Sequence, residues 1–309
     1  SRPDYMVWFN GCRNVRIENV IFEDAMNWTL NLFCCDDVLV KDFVINNNRH
    51  VANTDGIDVT GSSHVELDHC FVSTADDGIV LKNPQETGRD MEDIYIHNCH
   101  VITVMNAFKI GTETKYNISN VLVENCCFFM PDIYPGSTSG ISIESADGSR
   151  ISDIIVRNIT MDRVLCPLFL CLNMRNQYKS GYTPDGSGRY WGGMIEDVTI
   201  ENINATGVEV PSLIFGFEAR NEEGKNIRKA VKNIKVKLFK AVYCDNEEML
   251  DIPHPIEEYL YQYPENNTFG DVDACGIWAR HVDGLKLEQI EIIPRSCNTR
   301  DKIRLYDVK

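Results

Sequence analysis

The sequence predicts an all-β chain wound into a right-handed parallel β-helix, a solenoid of about nine or more coils. Three observations predict it. One apolar pattern recurs nine times along the 309 residues, its spacing has the period of two that strands require, and no helical periodicity interrupts it. A unit of this kind cannot bury its apolar face alone, so each coil must stack on the next.

Each copy opens on a polar anchor followed by apolar residues one, three, six and eight places later. The anchors are Asn14, Asp37, His64, Asp93, Asn120, Asp153, Asp197, Asn233 and Gly284, spaced 23 to 51 residues apart. The first copy reads Val15, Ile17, Val20, Phe22 and the last Leu285, Leu287, Ile290, Ile292. The step from three to six marks a bend between two short strands. Just before it stand Asn19, Asp42, Asn98, Asn125, Asn158 and Asn202, whose side chains suit a turn and can stack on their copies in the next coil. A β-sandwich would instead need hairpins. The Asn-Gly and Asp-Gly pairs, such as Asn10-Gly11, Asp147-Gly148 and Asp283-Gly284, fall largely at one phase of the repeat, as coil corners would.

A third run of alternating residues completes the coil. Its inward positions align as Ile57 and Val59, Ile79 and Leu81, Phe108 and Ile110, Ile141 and Ile143, which turns Asp58, Val80, Lys109 and Ser142 outward toward solvent. The longest gaps hold insertions around 173–193 and 243–275, and insertions in a solenoid gather on one face, commonly the binding face. The repeat resumes after each, so residues 1–309 are read as a single β-helix domain.

A net charge of -16 argues against nucleic acid as a partner, since a phosphate backbone asks for a basic surface. No apolar run reaches the roughly 18 residues of a membrane-spanning helix. The 12 cysteines include no zinc-spaced cluster, so neither a metal nor another cofactor is expected. Cys70, Cys99 and Cys126 share one repeat position, which favours buried thiols over disulfides. No secretory leader is visible, and the compartment stays open between cytoplasm, periplasm and medium. The oligomeric state is equally open.

Chemistry concentrates in Asn53-Thr54-Asp55-Gly56-Ile57-Asp58 and its echo Ala75-Asp76-Asp77-Gly78-Ile79. Each sets carboxylates at the mouth of a buried strand, although Asp-Gly is also ordinary turn chemistry. Stacked coils lie about 4.8 Å apart, which would gather Asp55, Asp76 and Asp77 with separations of roughly 5 to 9 Å, the window for two-acid glycosidic cleavage. Like charges so close need protons, a cation or a substrate to compensate them. Lys82 and Lys109 offer positive charge beside them, and Asn106 follows at the strand entry one coil on.

These two stretches, 21 residues apart, resemble the paired signatures of glycoside hydrolase family 28, the polygalacturonases and their rhamnogalacturonan-cleaving relatives. Arg2-Pro3, Ile110-Gly111-Thr112-Glu113, Tyr263-Pro264-Glu265, Phe269-Gly270 and Arg280-His281 are similar to its bacterial branch. The region that usually precedes the first coil in that family is missing, as in a fragment. The resemblance implies inverting hydrolysis of α-linked uronic acid chains in pectin-like polysaccharide, with Asp76 as general acid and Asp55 and Asp77 activating water. Two departures stand out: Met105-Asn106-Ala107 replaces Gly-His-Gly, and Ser142-Ile143-Glu144 replaces the Arg-Ile-Lys that grips a substrate carboxylate. Substrate contacts are therefore expected from Asp58, Lys82, Asn106, Lys109, Glu113, Glu144, Arg175 and Arg280, on a neutral, mixed or differently gripped sugar chain attacked from its end. Trp28, Trp191 and Trp278 are candidate sugar platforms. A polysaccharide lyase holding Ca²⁺ and a non-catalytic sugar-binding β-helix remain the alternatives.

Overall fold

A computed structural model describes residues 3–131, 136–175, 192–220, 224–244, 252, 255–294 and 300–309. Arg2, Trp191 and most of the first insertion lie outside these residues. Eight strands, from Arg13–Glu18 and Asp36–Lys41 to Val231–Tyr243, carry anchors and a ninth, Lys286–Ile293, follows the anchor Gly284, each pairing in parallel with the next. A second parallel stack starts with Ile21–Glu23, Val44–Asn46, Phe71–Thr74 and His100–Thr103. From Ile118–Phe129 onward these two segments run on as single strands. The third stack, called the site sheet below, runs from Val7–Asn10 through Ile57–Thr60, Ile79–Asn83, Asn106–Thr114 and Ser137–Ser145 to Asp301–Val308. The fold is the expected right-handed parallel β-helix. Among the described residues the antiparallel pairing is the hairpin of Phe217–Arg220 with Asn226–Lys229.

The anchors owe their chemistry to the backbone. All nine are left-handed, with φ between 52° and 78°. So are the bend residues Asn19, Asp42, Asn98, Asn125, Asn158 and Asn202, and with them His69, Leu238 and Gln289. Asparagine, aspartate and glycine tolerate this conformation best, which is why the pattern is legible as letters. The side chains also form a ladder: Asn202 Nδ2 donates to Asn158 Oδ1 at 2.8 Å, and Asn158 Nδ2 to Asn125 Oδ1 at 3.0 Å.

One apolar core fills the coils from Val15 to Ile292. Cys70, Cys99 and Cys126 are buried free thiols within it. A second, smaller core lies outside the coil, where Tyr259, Phe269 and Val272 of the later insertion pack on Phe169, Phe215 and Trp278. Phe269 stacks within 4.5 Å of Phe215 and 5.0 Å of Tyr259, ring centre to ring centre. The insertion is thereby held against the site sheet. Met174 N donates to Leu260 O at 2.8 Å, and Asn266 Nδ2 to Ser139 Oγ at 2.7 Å. The outward row is consequently not solvent-facing: Asp58, Val80, Lys109 and Ser142 are all buried. Pointing out of a coil is not the same as reaching water when another layer lies on top. No helix among the described residues is long and apolar enough to cross a membrane.

Candidate active site

The site sheet's register brings the two acid stretches together. Ile57 pairs with Ile79 and Ile79 with Phe108, so Asp55, Asp77 and Asn106 stand side by side at the strand entries. Gly56 and Gly78 make that approach possible. A Cβ on Gly56 would lie 2.4 Å from Gly78 O, and one on Gly78 would lie 2.3 Å from Val101 Cγ1. Neither is left-handed, so these Asp-Gly pairs are not turns; the glycines are there for close packing of coils.

One carboxylate oxygen from each of Asp55, Asp76 and Asp77 lies within 4.8 Å of the others. Measured between nearest oxygens, the cluster is tighter than the expected 5 to 9 Å window. Asp76 is its partly exposed member, while Asp55 and Asp77 lie behind it. Asp76 Oδ1 accepts from Asp77 N at 3.0 Å and Oδ2 from Asn53 N at 3.1 Å. Burial and the neighbouring Asp77 raise its carboxyl above the ordinary aspartate value.

Two lysines divide the acids between them. Lys82 Nζ lies 3.0 Å from both Asp55 and Asp58, and 3.6 Å from the Trp28 ring centre. One ammonium can neutralise only one of two buried acids. Burial and the neighbouring acids push Asp55 well up, and Asp58 to about 7. Lys109 Nζ lies 2.7 Å from Glu265, 3.3 Å from Asp77 and 3.6 Å from Glu144. Glu144, fully buried, is pushed to about 8 by desolvation against the pull of Lys109. Asn106 Nδ2 donates to Asp77 Oδ1 at 2.8 Å and to Glu265 Oε1 at 3.1 Å. Arg175 pairs with Asp147 at 2.8 Å and Glu113 at 3.7 Å, its guanidinium 5.6 Å from the Tyr263 ring centre.

Of the expected contacts, Lys82, Asn106 and Lys109 thus bind Asp55 and Asp77, while Arg175 pairs with Glu113 and Asp147 instead. Three expectations need correction. Asp58 and Glu144 are fully buried and act through lysines, out of a substrate's reach. Arg280 stands three strands beyond Glu144, about 14 Å along the sheet at its usual spacing. There its guanidinium donates to Ile256 O and Glu257 O at 2.7 and 2.8 Å. Trp278 is core, whereas Trp28 sits half-exposed next to Asp55. Sequence reasoning gave no role to Glu265, Tyr263 or Asp147. Glu265 and Tyr263 come from a stretch quoted only for its likeness, and Asp147 was read as a coil corner.

Fold and acid cluster together describe a parallel β-helix with three aspartates converging at the strand entries of one sheet. Solved structures of this fold include a Thermotoga maritima exopolygalacturonase, at TM-score 0.62 and 22% identity over 78% of this chain and 50% of that one. A polygalacturonase of Erwinia carotovora superposes at TM-score 0.54 with 20% identity, covering 77% and 56%. The family model for glycosyl hydrolases family 28 matches residues 1–248, and the chain belongs to that family. A probable polygalacturonase of Arabidopsis thaliana is 31% identical over 172 residues, 55% of this chain and 36% of that protein. A polygalacturonase of Ralstonia solanacearum is 29% identical over 118 residues, 38% and 22%. The chain thus spans well under half the length of these two relatives.

Proposed function

We propose that the protein is a glycoside hydrolase that cuts pectin-like polysaccharide at α-linked uronic acid or related sugars. The observation that carries this reading is the convergence of Asp55, Asp76 and Asp77 at the strand entries, with Asp76 turned toward solvent. Asp76, its proton retained by burial and by Asp77, donates to the leaving glycosidic oxygen as the C–O bond breaks. A water attacks the anomeric carbon and gives its proton to Asp77. Asn106 and Lys109 orient Asp77 for this role. The insertion crosses the sheet at Tyr263–Asn266, which supports attack from a chain end.

Inversion is part of the proposal on family grounds. The acids approach closer than the roughly 6.5–9.5 Å usual for inverting pairs, so the anomeric outcome is the measurement that matters. Pectic fractions are incubated with the protein and the products analysed by mass and, during the first turnovers, by proton NMR. Inverted products that are short from the outset are expected. Retained configuration overturns the water-attack scheme. An ultraviolet-absorbing product whose formation stops in chelator identifies a lyase.

A further inference from the structure

The geometry points to a substrate that carries no charge where it meets the loop covering Lys109, an α-linked neutral pyranoside, with Glu265 as the residue that enforces the choice. This inference rests on the hydrolase reading above and narrows it. Among the described residues two cations, Lys82 and Lys109, reach the three aspartates, a third, Arg175, stands against Tyr263, and acids of the chain itself already engage each of them. Lys82 is held between Asp55 and Asp58, both at 3.0 Å. Arg175 is held by Asp147 and Glu113. Lys109, 3.3 Å from Asp77, is 1% exposed and carries Glu265 at 2.7 Å.

Glu265 arrives on the insertion, from outside the coil, so its carboxylate lies on the side from which a substrate would approach. It occupies the ammonium that a uronate would need. A uronate would have to displace Glu265 or set its own carboxylate against Glu265, Glu144 and Asp77. Rejection by like charge discriminates without any new attractive contact. A neutral sugar meets no such opposition. It brings no charge against the buried Glu265, 3% exposed, and the ring of Tyr263, 48% exposed, offers an aromatic face for its apolar side.

The test presents each pectic fraction in two forms, intact and after chemical reduction of its carboxyl groups to primary alcohols, which keeps the linkages. A kcat/KM about tenfold higher or more on the reduced form, or cleavage confined to linkages flanked by neutral sugars, is expected. Equal or faster cleavage of intact uronan overturns the inference. Absence of product from every fraction in both forms overturns the hydrolase reading itself. Glu265→Gln frees Lys109 and is expected to shift the ratio toward uronate by about tenfold, while Glu265→Asp keeps it nearer the native value. An unchanged ratio in a Glu265→Gln protein with native melting behaviour removes Glu265 as the determinant. The substrate comparison on the unaltered protein stands however the variant folds.

Discussion

Asp76 is the residue on which the chemistry turns. Asp76→Asn keeps the shape and an oxygen for one of the two backbone donors, sets an NH2 against the other, and loses the transferable proton. Turnover is expected to fall by about 10²–10⁴-fold, the usual worth of a general acid, while losing one hydrogen bond lowers stability by only about 1 kcal/mol. Product release and calorimetry on the same preparation check both halves. The three aspartates were legible in the sequence because strand register is arithmetic: once Ile57 is set beside Ile79, Asp55 falls beside Asp77. Glu265 was not legible, because its partner Asn106 lies 159 residues away and no periodicity connects a loop to a rung. The burial of Asp58 and Glu144 was missed for a related reason, since alternation gives the direction of a side chain and not what covers it.

At the level of single strands and turns, glycines that look alike in sequence do different work. Gly11, after Asn10, is left-handed at φ 63° with open space around its Cβ position. Gly78, after Asp77, has an ordinary backbone and no room. Gly11→Ala should therefore cost about 1–2 kcal/mol, all of it backbone strain. Gly78→Ala should cost about 1–3 kcal/mol through overpacking and should lower activity as well, since it pushes adjacent coils apart beneath the acids. Urea unfolding of the two variants in parallel measures the difference. The anchor positions were the clearest signal in the chain because one backbone requirement, a left-handed residue in each coil, is met by a short menu of side chains. Leu238 and Gln289 show that the requirement outlives the menu: both are left-handed although neither favours it.

Across the molecule, buried acids set how stability depends on pH. Asp58, ordinarily near 3.8, is pushed to about 7, and Glu144, ordinarily near 4.5, to about 8. A folded-state value above the unfolded one means the folded chain holds protons that the unfolded chain has released. The contribution is complete below about pH 4 and is lost as pH rises through about 7 to 8. His281 works in the same direction. Burial opposes its charge, but Glu258 at 3.1 Å and Asp307 at 2.8 Å outweigh it and hold the imidazole above 6.5. The melting temperature is expected to fall by several degrees between pH 5 and pH 9, and calorimetry across that range checks it. A rise over the same interval would mean that the Lys82 and Lys109 clusters do not hold their acids as described.

The return of the later insertion over earlier coils has a consequence for how such a chain can change. Solenoids ordinarily lengthen or shorten by whole repeats, because each unit answers only to its neighbours. Here Glu265 leaves the coil after Val231–Tyr243 and reaches back to Lys109, on the strand Asn106–Thr114. One coil gained or lost in between would carry Glu265 about 4.8 Å out of place and uncover the lysine. The number of rungs from Lys109 to the insertion's exit is therefore fixed by the contacts of Glu265 and Asn266 with earlier coils, and the architecture most open to duplication is, over that interval, closed to it.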